Sequence, residues 1–128
     1  MSELTGTQMK YLHVIYMAQE EDGDLRSVDI SRELDVTKAS VSRMVKLLGG
    51  LGFIAVGEYG NIQLTSKGKC EGAKIDEKIA QIYRFFVDYL ELEEPEAINS
   101  AYSFLYNFSD NCIDQLVRKG READWALP

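Results

Sequence analysis

Residues 27–51 constrain the fold of this 128-residue chain more than any other stretch. Apolar side chains at Val28, Ile30 and Leu34 are spaced as on the buried side of a short helix. The next residues break this pattern. Thr37 then favours the start of a new helix, because its hydroxyl can accept a hydrogen bond from an otherwise unpaired backbone N–H. The stretch therefore predicts two helices joined by a tight turn.

The second of these helices has two different faces. Its apolar residues follow the i, i+3, i+4, i+7 spacing of one buried face: Val41, Met44, Val45 and Leu48. The opposite face is small and polar at first and cationic further along: Lys38, Ala39, Ser40, Ser42, Arg43 and Lys46. Small side chains let a helix enter the major groove of DNA, where Ser, Arg and Lys reach base edges and phosphates. Taken alone, the pattern also fits an ordinary pair of amphipathic helices with solvated charges.

The segment that follows favours the DNA-binding interpretation. Residues 53–56 and 62–65 are β-prone runs on either side of a turn-rich tip at 57–61. A two-stranded wing directly after such a helix is typical of a winged helix-turn-helix. We therefore predict a mainly α fold, in which a winged helix-turn-helix with a two-stranded wing is followed by an all-helical dimerisation region.

The remaining sequence predicts further helices. Thr65 or Ser66 can cap a long helix, whose apolar side chains form a heptad-like stripe: Ile75, Ile79, Ile82, Phe86 and Tyr89. A stripe of this length exceeds what one small winged domain has to cover, and it suggests packing against helices of a second subunit. The next helix has its own apolar face, made of Ile98, Ala101, Tyr102 and Leu105. Ser109 caps a last helix.

These elements give the expected domain organisation. A DNA-binding domain spans 1–65 and a helical dimerisation domain spans 66–120. The last helix is expected to close at Lys119–Gly120, leaving residues 121–128 as a tail.

Composition and charge exclude several classes of protein. No apolar run approaches the roughly 18 residues of a membrane span, and the two cysteines, Cys70 and Cys112, are too few for a disulfide framework. We expect a cytoplasmic protein without a membrane partner. The net charge of −7 is unevenly spread, because residues 71–128 hold six basic and twelve acidic side chains, against eight and nine in residues 1–70. Binding to DNA should therefore be modest and sensitive to salt.

In this order of elements, the chain resembles the diphtheria-toxin repressor/manganese transport regulator family of metal-dependent repressors, in the short form without an SH3-like domain. The matching segments are 11–16, 28–30 with 34–36, 40–47, 64–69 and 108–116. The resemblance implies a homodimer that binds a double-stranded DNA operator through two recognition helices. It also implies a dimer interface on the long helix and the last two helices, at Ile75, Ile79, Ile82, Phe86, Tyr102 and Leu105.

The chain departs from this family at the metal site. The resemblance implies carboxylate, sulfur and histidine ligands suited to Mn²⁺ or Fe²⁺. Those positions fall here on Lys10, His13, Ile79, Tyr102, Leu105 and Tyr106. His13 is the chain's single histidine, so no alternative alignment restores the family's ligand set. We therefore expect no metal and no other cofactor.

Several replacements for the metal are open. Hydrophobic packing of Ile79, Tyr102 and Leu105 would hold together what the cation cross-links. The ammonium group of Lys10 could stand where the cation sits, or it could simply be solvated. His13 could form a non-standard metal site with cysteines or acids, or it could be an ordinary surface or hydrogen-bonded residue.

The wing departs from the family as well. Its tip lacks the arginine that the resemblance implies, so Tyr59 and Asn61 are the candidates for phosphate contacts. The leading hypothesis is a homodimeric, sequence-specific transcriptional regulator, a repressor by resemblance, that needs neither Mn²⁺ nor Fe²⁺. Alternatives are a regulator with a non-standard metal site, a protein-interaction module that has lost DNA binding, and a sensor whose tyrosines bind a small molecule (Tyr83, Tyr102, Tyr106). The sequence contains no motif of an enzyme.

Overall fold

The computed structural model describes residues 4–21 and 24–122. In order, the elements are α1 (Gly6–Glu21), α2 (Ser27–Leu34), α3 (Lys38–Gly50), β1 (Ile54–Val56), β2 (Ile62–Leu64), α4 (Ser66–Arg84), a π-helix (Phe85–Tyr89), α5 (Glu96–Asn107) and α6 (Asp110–Glu122). The predicted fold class is confirmed: a mainly helical chain with one two-stranded sheet. None of the described helices is long and apolar enough to cross a membrane.

The chain divides into two compact units. The first, called the winged unit here, spans Gln8–Lys74; the second, the helical unit, comprises Met1–Thr7 and Ile75–Pro128. The division falls inside α4, whereas the predicted boundary at residue 65 lies just before this helix. The assignment of 1–65 to DNA binding and 66–120 to dimerisation stays a prediction.

The core of the winged unit is formed by the apolar faces that the sequence analysis picked out. Each helix and strand of the unit contributes fully or almost fully buried side chains, among them Leu12, Ile15, Ile30, Val41, Leu48, Phe53 and Ile62. Burying one such side chain stabilises the fold by about 1.5–3 kcal/mol. This core holds α3 in place from its apolar side, so its polar side stays available.

The two strands form an antiparallel pair in which Ile54 faces Leu64 and Val56 faces Ile62. Side chains alternate across the sheet, so Ile62 and Leu64 are buried and Gln63 is exposed. A third segment joins this sheet through a bridge that the sequence analysis did not predict. The N–H of Ile62 donates to the carbonyl of Leu25 at 2.7 Å, and the side chain of Gln19 donates to the carbonyl of Ile62 at 3.0 Å. The base of the wing is therefore tied to the residues around α1 and α2.

The helical unit has its own buried residues, on α4, α5 and α6: Ile75, Ile79, Ile82, Ala97, Ala101, Leu105 and Ile113. The predicted caps are confirmed, because Thr65 Oγ1 accepts from the N–H of Gly68 at 3.0 Å and Ser109 Oγ accepts from that of Cys112 at 3.1 Å. The predicted end of the last helix at Lys119–Gly120 is wrong, since α6 continues to Glu122.

That extension also corrects the predicted tail. Arg121 and Glu122 belong to α6, and the remainder of the predicted tail lies outside the described residues. The guanidinium group of Arg121 donates to the carboxylate of Glu77 on α4 at 2.7 Å. This tie between α4 and α6 favours continuing the helix past Gly120.

Candidate nucleic-acid interface

Helix α3 begins as the sequence predicts. Thr37 has an extended backbone, and its Oγ1 accepts a hydrogen bond from the N–H of Ser40 at 3.1 Å. This cap satisfies one of the unpaired donors in the first turn and stabilises the helix by about 1 kcal/mol. The first turn, where a recognition helix reads bases, is therefore held in a defined conformation.

The two faces of α3 differ in exposure as predicted. Val41 and Leu48 are fully buried. The exposed set is Thr37, Lys38, Ala39, Ser42, Arg43 and Lys46, and Ser40 is half-buried. The structure thus places all seven predicted base- and phosphate-contacting residues of this segment on the accessible side of one capped helix. Their contact with DNA remains a proposal, developed below.

A small hydrogen-bond cluster orders the accessible face. The hydroxyl of Thr37 donates to Ser40 Oγ at 2.9 Å, and Arg43 Nη2 donates to the same oxygen at 3.4 Å. Ser40 therefore links the cap to the guanidinium group one turn later. The sequence analysis assigned Ser40 to base contacts only and did not identify this link.

Helix α3 ends in a Schellman motif, which the sequence analysis did not single out. The N–H of Phe53 donates to the carbonyl of Leu48 at 3.0 Å, and the N–H of Gly52 donates to that of Gly49 at 3.1 Å. This motif needs a left-handed residue after the helix, and Gly52 supplies it with a φ of +88°. Lys67 of α4 donates to the carbonyl of Leu51 at 2.8 Å, so the end of α3 is also held from outside the helix.

The wing presents a different chemistry from the one predicted. Tyr59 is 78% exposed at the tip, and Asn61 is half-buried. The prediction that the tip carries no cation is true of residues 57–61 and wrong for the folded wing. The guanidinium group of Arg26, which precedes α2, donates to the carbonyl of Tyr59. Because 33 residues separate the two in sequence, no local pattern could have revealed this contact.

The family's ligand positions do not suit a metal ion in this chain. Ile79 and Leu105 are buried apolar side chains, which offer no donor atom. Within the ranges 4–21 and 24–122, no three His, Cys, Asp or Glu side chains are grouped so that they could hold a metal ion. His13 is 3% exposed, which corrects the expectation of a surface histidine, and Lys10 is half-buried.

The tyrosines of the sensor hypothesis lie in different surroundings. The hydroxyl of Tyr83 donates to the carboxylate of Glu94 at 3.1 Å, and partial burial together with this carboxylate raises the pKa of Tyr83 above its ordinary value. Tyr102 is half-buried, whereas Tyr106 is exposed. None of the three lines the aromatic cavity described next.

Most of the predicted dimer interface is already buried within one chain. Four of its six side chains, Ile75, Ile79, Ile82 and Leu105, are almost inaccessible, so a second subunit could not cover them without rearrangement. Their apolar spacing therefore reports on packing inside the chain. Phe86 and Tyr102, which are half-buried, keep accessible surface.

An open aromatic surface lies beside Phe86 in the helical unit. A cavity of about 630 Å³ is lined by Phe85, Phe86, Phe104 and Phe108 together with polar side chains of α5. The rings of Phe104 and Phe108 stack with centroids 4.1 Å apart, and Phe85 stacks on Tyr89 at 5.4 Å. We call this surface the aromatic groove. It offers an exposed apolar patch of the kind that marks interaction sites.

Comparison with known proteins points to one family. A family model described as the iron dependent repressor, N-terminal DNA binding domain, matches residues 3–62. The chain is 31% identical to an uncharacterised HTH-type transcriptional regulator of Methanocaldococcus jannaschii over 107 residues, which cover 83% of this chain and 86% of that protein. It is 30% identical to the HTH-type transcriptional regulator MntR of Bacillus subtilis over 112 residues, which cover 88% of this chain and 78% of that protein.

Solved structures share the fold. The metal-dependent transcriptional regulator MtsR superposes with a TM-score of 0.79 at 24% identity, covering 95% of this chain and 55% of the MtsR chain. The chain thus spans about half the length of the solved chains that it matches. Since the M. jannaschii and B. subtilis regulators align over most of both sequences, this chain belongs to the diphtheria-toxin repressor/manganese transport regulator family of DNA-binding transcriptional regulators.

Proposed function

We propose that this regulator acts as a homodimer that binds a specific operator, with α3 in the major groove and without Mn²⁺ or Fe²⁺. The observation that carries the proposal is the accessible face of α3, capped by Thr37 and carrying Lys38, Arg43 and Lys46. A capped helix with small residues in its first turn and cations further along suits entry into the groove and contact with phosphates on either side.

Arg43 is the candidate for direct base reading. Its guanidinium group is exposed and is linked to Ser40, which reduces the number of orientations that it samples. An arginine held in this way can donate two hydrogen bonds to O6 and N7 of a guanine. Lys38 and Ser42 flank it on the same face, and Thr37 and Lys46 are placed to contact the backbone.

Replacing Arg43 by alanine should weaken binding to the preferred duplex by about 1–3 kcal/mol, or roughly 5- to 150-fold, because the bidentate contact to guanine is lost. The duplex is first selected in vitro from a random pool with the unmodified protein. Binding of both proteins to this duplex and to a scrambled one is then measured by fluorescence anisotropy.

Arg118→Ala on α6 is the matched control, since it removes the same charge from an exposed helix outside the winged unit. It should bind like the parent. Equal losses by Arg43→Ala on the selected and the scrambled duplex would contradict base reading and leave Arg43 as a phosphate contact. Failure of the unmodified protein to bind any duplex at low salt would support the interaction-module alternative.

The metal-independent part of the proposal is supported by the chemistry of the inherited positions. Ile79 and Leu105 offer no donor atoms, and the described residues contain no alternative cluster. The buried aliphatic side chains stabilise the helical unit under all conditions, whereas a metal would do so only when it is bound.

A chelator should therefore leave DNA binding unchanged. We expect the dissociation constant for the selected duplex to change by less than about twofold between EDTA and added Mn²⁺ or Fe²⁺, since a ligand changes an equilibrium only through a difference in its affinity for the two states. The metal-dependent regulator MtsR is the positive control for the chelator. A tenfold or larger loss of binding in EDTA, restored by metal, would show that a non-standard site exists.

The homodimer is supported by the aromatic groove. A symmetric dimer uses the same surface on both copies, so this surface has to be complementary to itself. The groove meets this requirement in outline, because it combines a concave wall of phenylalanines with protruding rings, Tyr89 at 63% and Phe108 at 48% exposure. We assign the second copy of the chain as its occupant.

A further inference from the structure

The segment before α2 makes an unusual set of contacts with the wing. Arg26 Nη1 donates to the carbonyl of Tyr59 and lies 3.5 Å from the position that a Cβ on Gly60 would occupy. Gly60 itself has a φ of +86°, a conformation that side chains rarely tolerate. The guanidinium group therefore lies directly against the backbone of the wing tip.

The other end of Arg26 is fixed to the helix-turn-helix. Its N–H donates to Asp29 Oδ2 at 2.9 Å, which ties it to the first turn of α2. Its Nη2 lies 3.7 Å from a carboxylate oxygen of Asp24. The preceding residue, Leu25, accepts the hydrogen bond from Ile62 that joins the base of the wing to this segment. Base and tip of the wing are thus held by two consecutive residues.

An isolated pair of three-residue strands needs such support. Two-stranded hairpins are marginally stable in water by themselves, and their tips open more readily than packed helices. Within the tip, the hydrogen bonds that the backbone makes are those from Gly57 to Asn61 at 2.8 Å and from Gly60 to Gly57 at 3.0 Å, as far as the described residues go. A tip held by so few bonds gains order from an external donor.

We propose that Arg26 is a positioning residue that fixes the tip of the wing relative to the helix-turn-helix, so that Tyr59 and Asn61 meet DNA in a set geometry. This inference rests on the proposed DNA-binding function for its consequence, but not for its structural content. The Nη1 donor is engaged by a backbone carbonyl, and Nη2 faces a carboxylate, which distinguishes Arg26 from an arginine that is free to contact phosphate. Preorganisation of this kind increases affinity because less conformational freedom is lost on binding.

The structural content is tested in the free protein with Arg26→Gln. Hydrogen exchange of the Gly57 and Gly60 amides should become about tenfold faster, because the tip loses its charge-assisted hydrogen bond, while the amides of α3 keep their rates. Arg32→Gln on α2 is the control, since Arg32 is exposed and pairs with the same Asp29 at 3.7 Å. It should leave exchange in the wing unchanged. Unchanged exchange in Arg26→Gln would overturn the proposal whether or not the protein binds DNA.

The functional consequence is tested by salt titration of DNA binding. Arg26→Gln should lower affinity about three- to tenfold and leave the slope of log K against log salt unchanged, because no phosphate contact is removed. A slope reduced by about one, combined with normal exchange in the wing, would identify Arg26 as a phosphate contact and overturn the positioning role. If the unmodified protein binds no DNA, the proposed function fails, and the exchange measurement still decides the role of Arg26.

Discussion

Replacing Gly68 by alanine is expected to lower the free energy of unfolding by about 3 kcal/mol, with a fall in Tm of roughly 10 °C. A Cβ at this position would lie 1.9 Å from the carbonyl oxygen of Phe53 and 2.9 Å from its carbonyl carbon. Backbone atoms cannot rotate away as a side chain can. The first turn of α4 would have to move, at the expense of the hydrogen bond from the N–H of Thr65 to the same carbonyl at 3.1 Å.

The sign of this prediction makes it decisive. Alanine has a higher helix propensity than glycine by about 1 kcal/mol, so in an open helix the same change stabilises the protein. Gly50, near the end of α3, supplies that control, because an added Cβ there would meet no atom within 4 Å. Thermal and urea unfolding should show Gly68→Ala less stable and Gly50→Ala as stable as the parent or slightly more. A Gly68→Ala protein as stable as the parent would mean that α4 does not pack against β1 as described.

Local signals in the sequence predicted the DNA-binding element well. The apolar spacing of Val41 and Leu48 located the buried face of α3, and the hydroxyl of Thr37 located its start. Both signals act over one or two helical turns, where side-chain geometry follows directly from position in the chain. The buried faces of the wing could be predicted for the same reason, because side chains alternate along a strand.

Contacts between distant parts of the chain could not be predicted in this way. The approach of Arg26 to the tip of the wing depends on how the segment around Leu25 pairs with Ile62, and a sequence of one protein carries no signal for such a pairing. The need for glycine at position 68 is similar, since it comes from the carbonyl of Phe53 on a neighbouring element. Both features affect the site through packing rather than through their own local structure.

The predicted dimer interface shows a different limit. Apolar periodicity reports that a helix face is buried, but not whether the same chain or a second one covers it. Ile75, Ile79 and Ile82 follow the expected spacing and are buried by their own chain. The surface left for a partner lies on the π-helix and at the end of α5, where Phe85 and Phe108 interrupt the regular pattern.

Introducing a charge into that surface should have the largest effect on function. Phe108→Glu is expected to convert the dimer into a monomer at micromolar concentration, because two carboxylates would be buried against each other or against phenylalanine rings. Operator affinity should fall about 100-fold or more, since each winged unit would then bind its half-site without the effective concentration that the partner provides. Sedimentation equilibrium and fluorescence anisotropy measure the two effects separately.

The design distinguishes loss of the interface from loss of the fold. Phe108 is 48% exposed in the single chain, so Phe108→Glu should keep the circular dichroism of the parent, and Phe108→Leu, which keeps an apolar side chain, should remain dimeric. Asn111→Glu adds the same charge to the first turn of α6, at an exposed position that does not line the groove, and it should change neither association nor affinity. A dimeric Phe108→Glu protein with normal operator affinity would exclude the aromatic groove as the interface. A monomeric parent that binds its operator tightly would show instead that a single winged unit, with its wing held by Arg26, is sufficient for recognition.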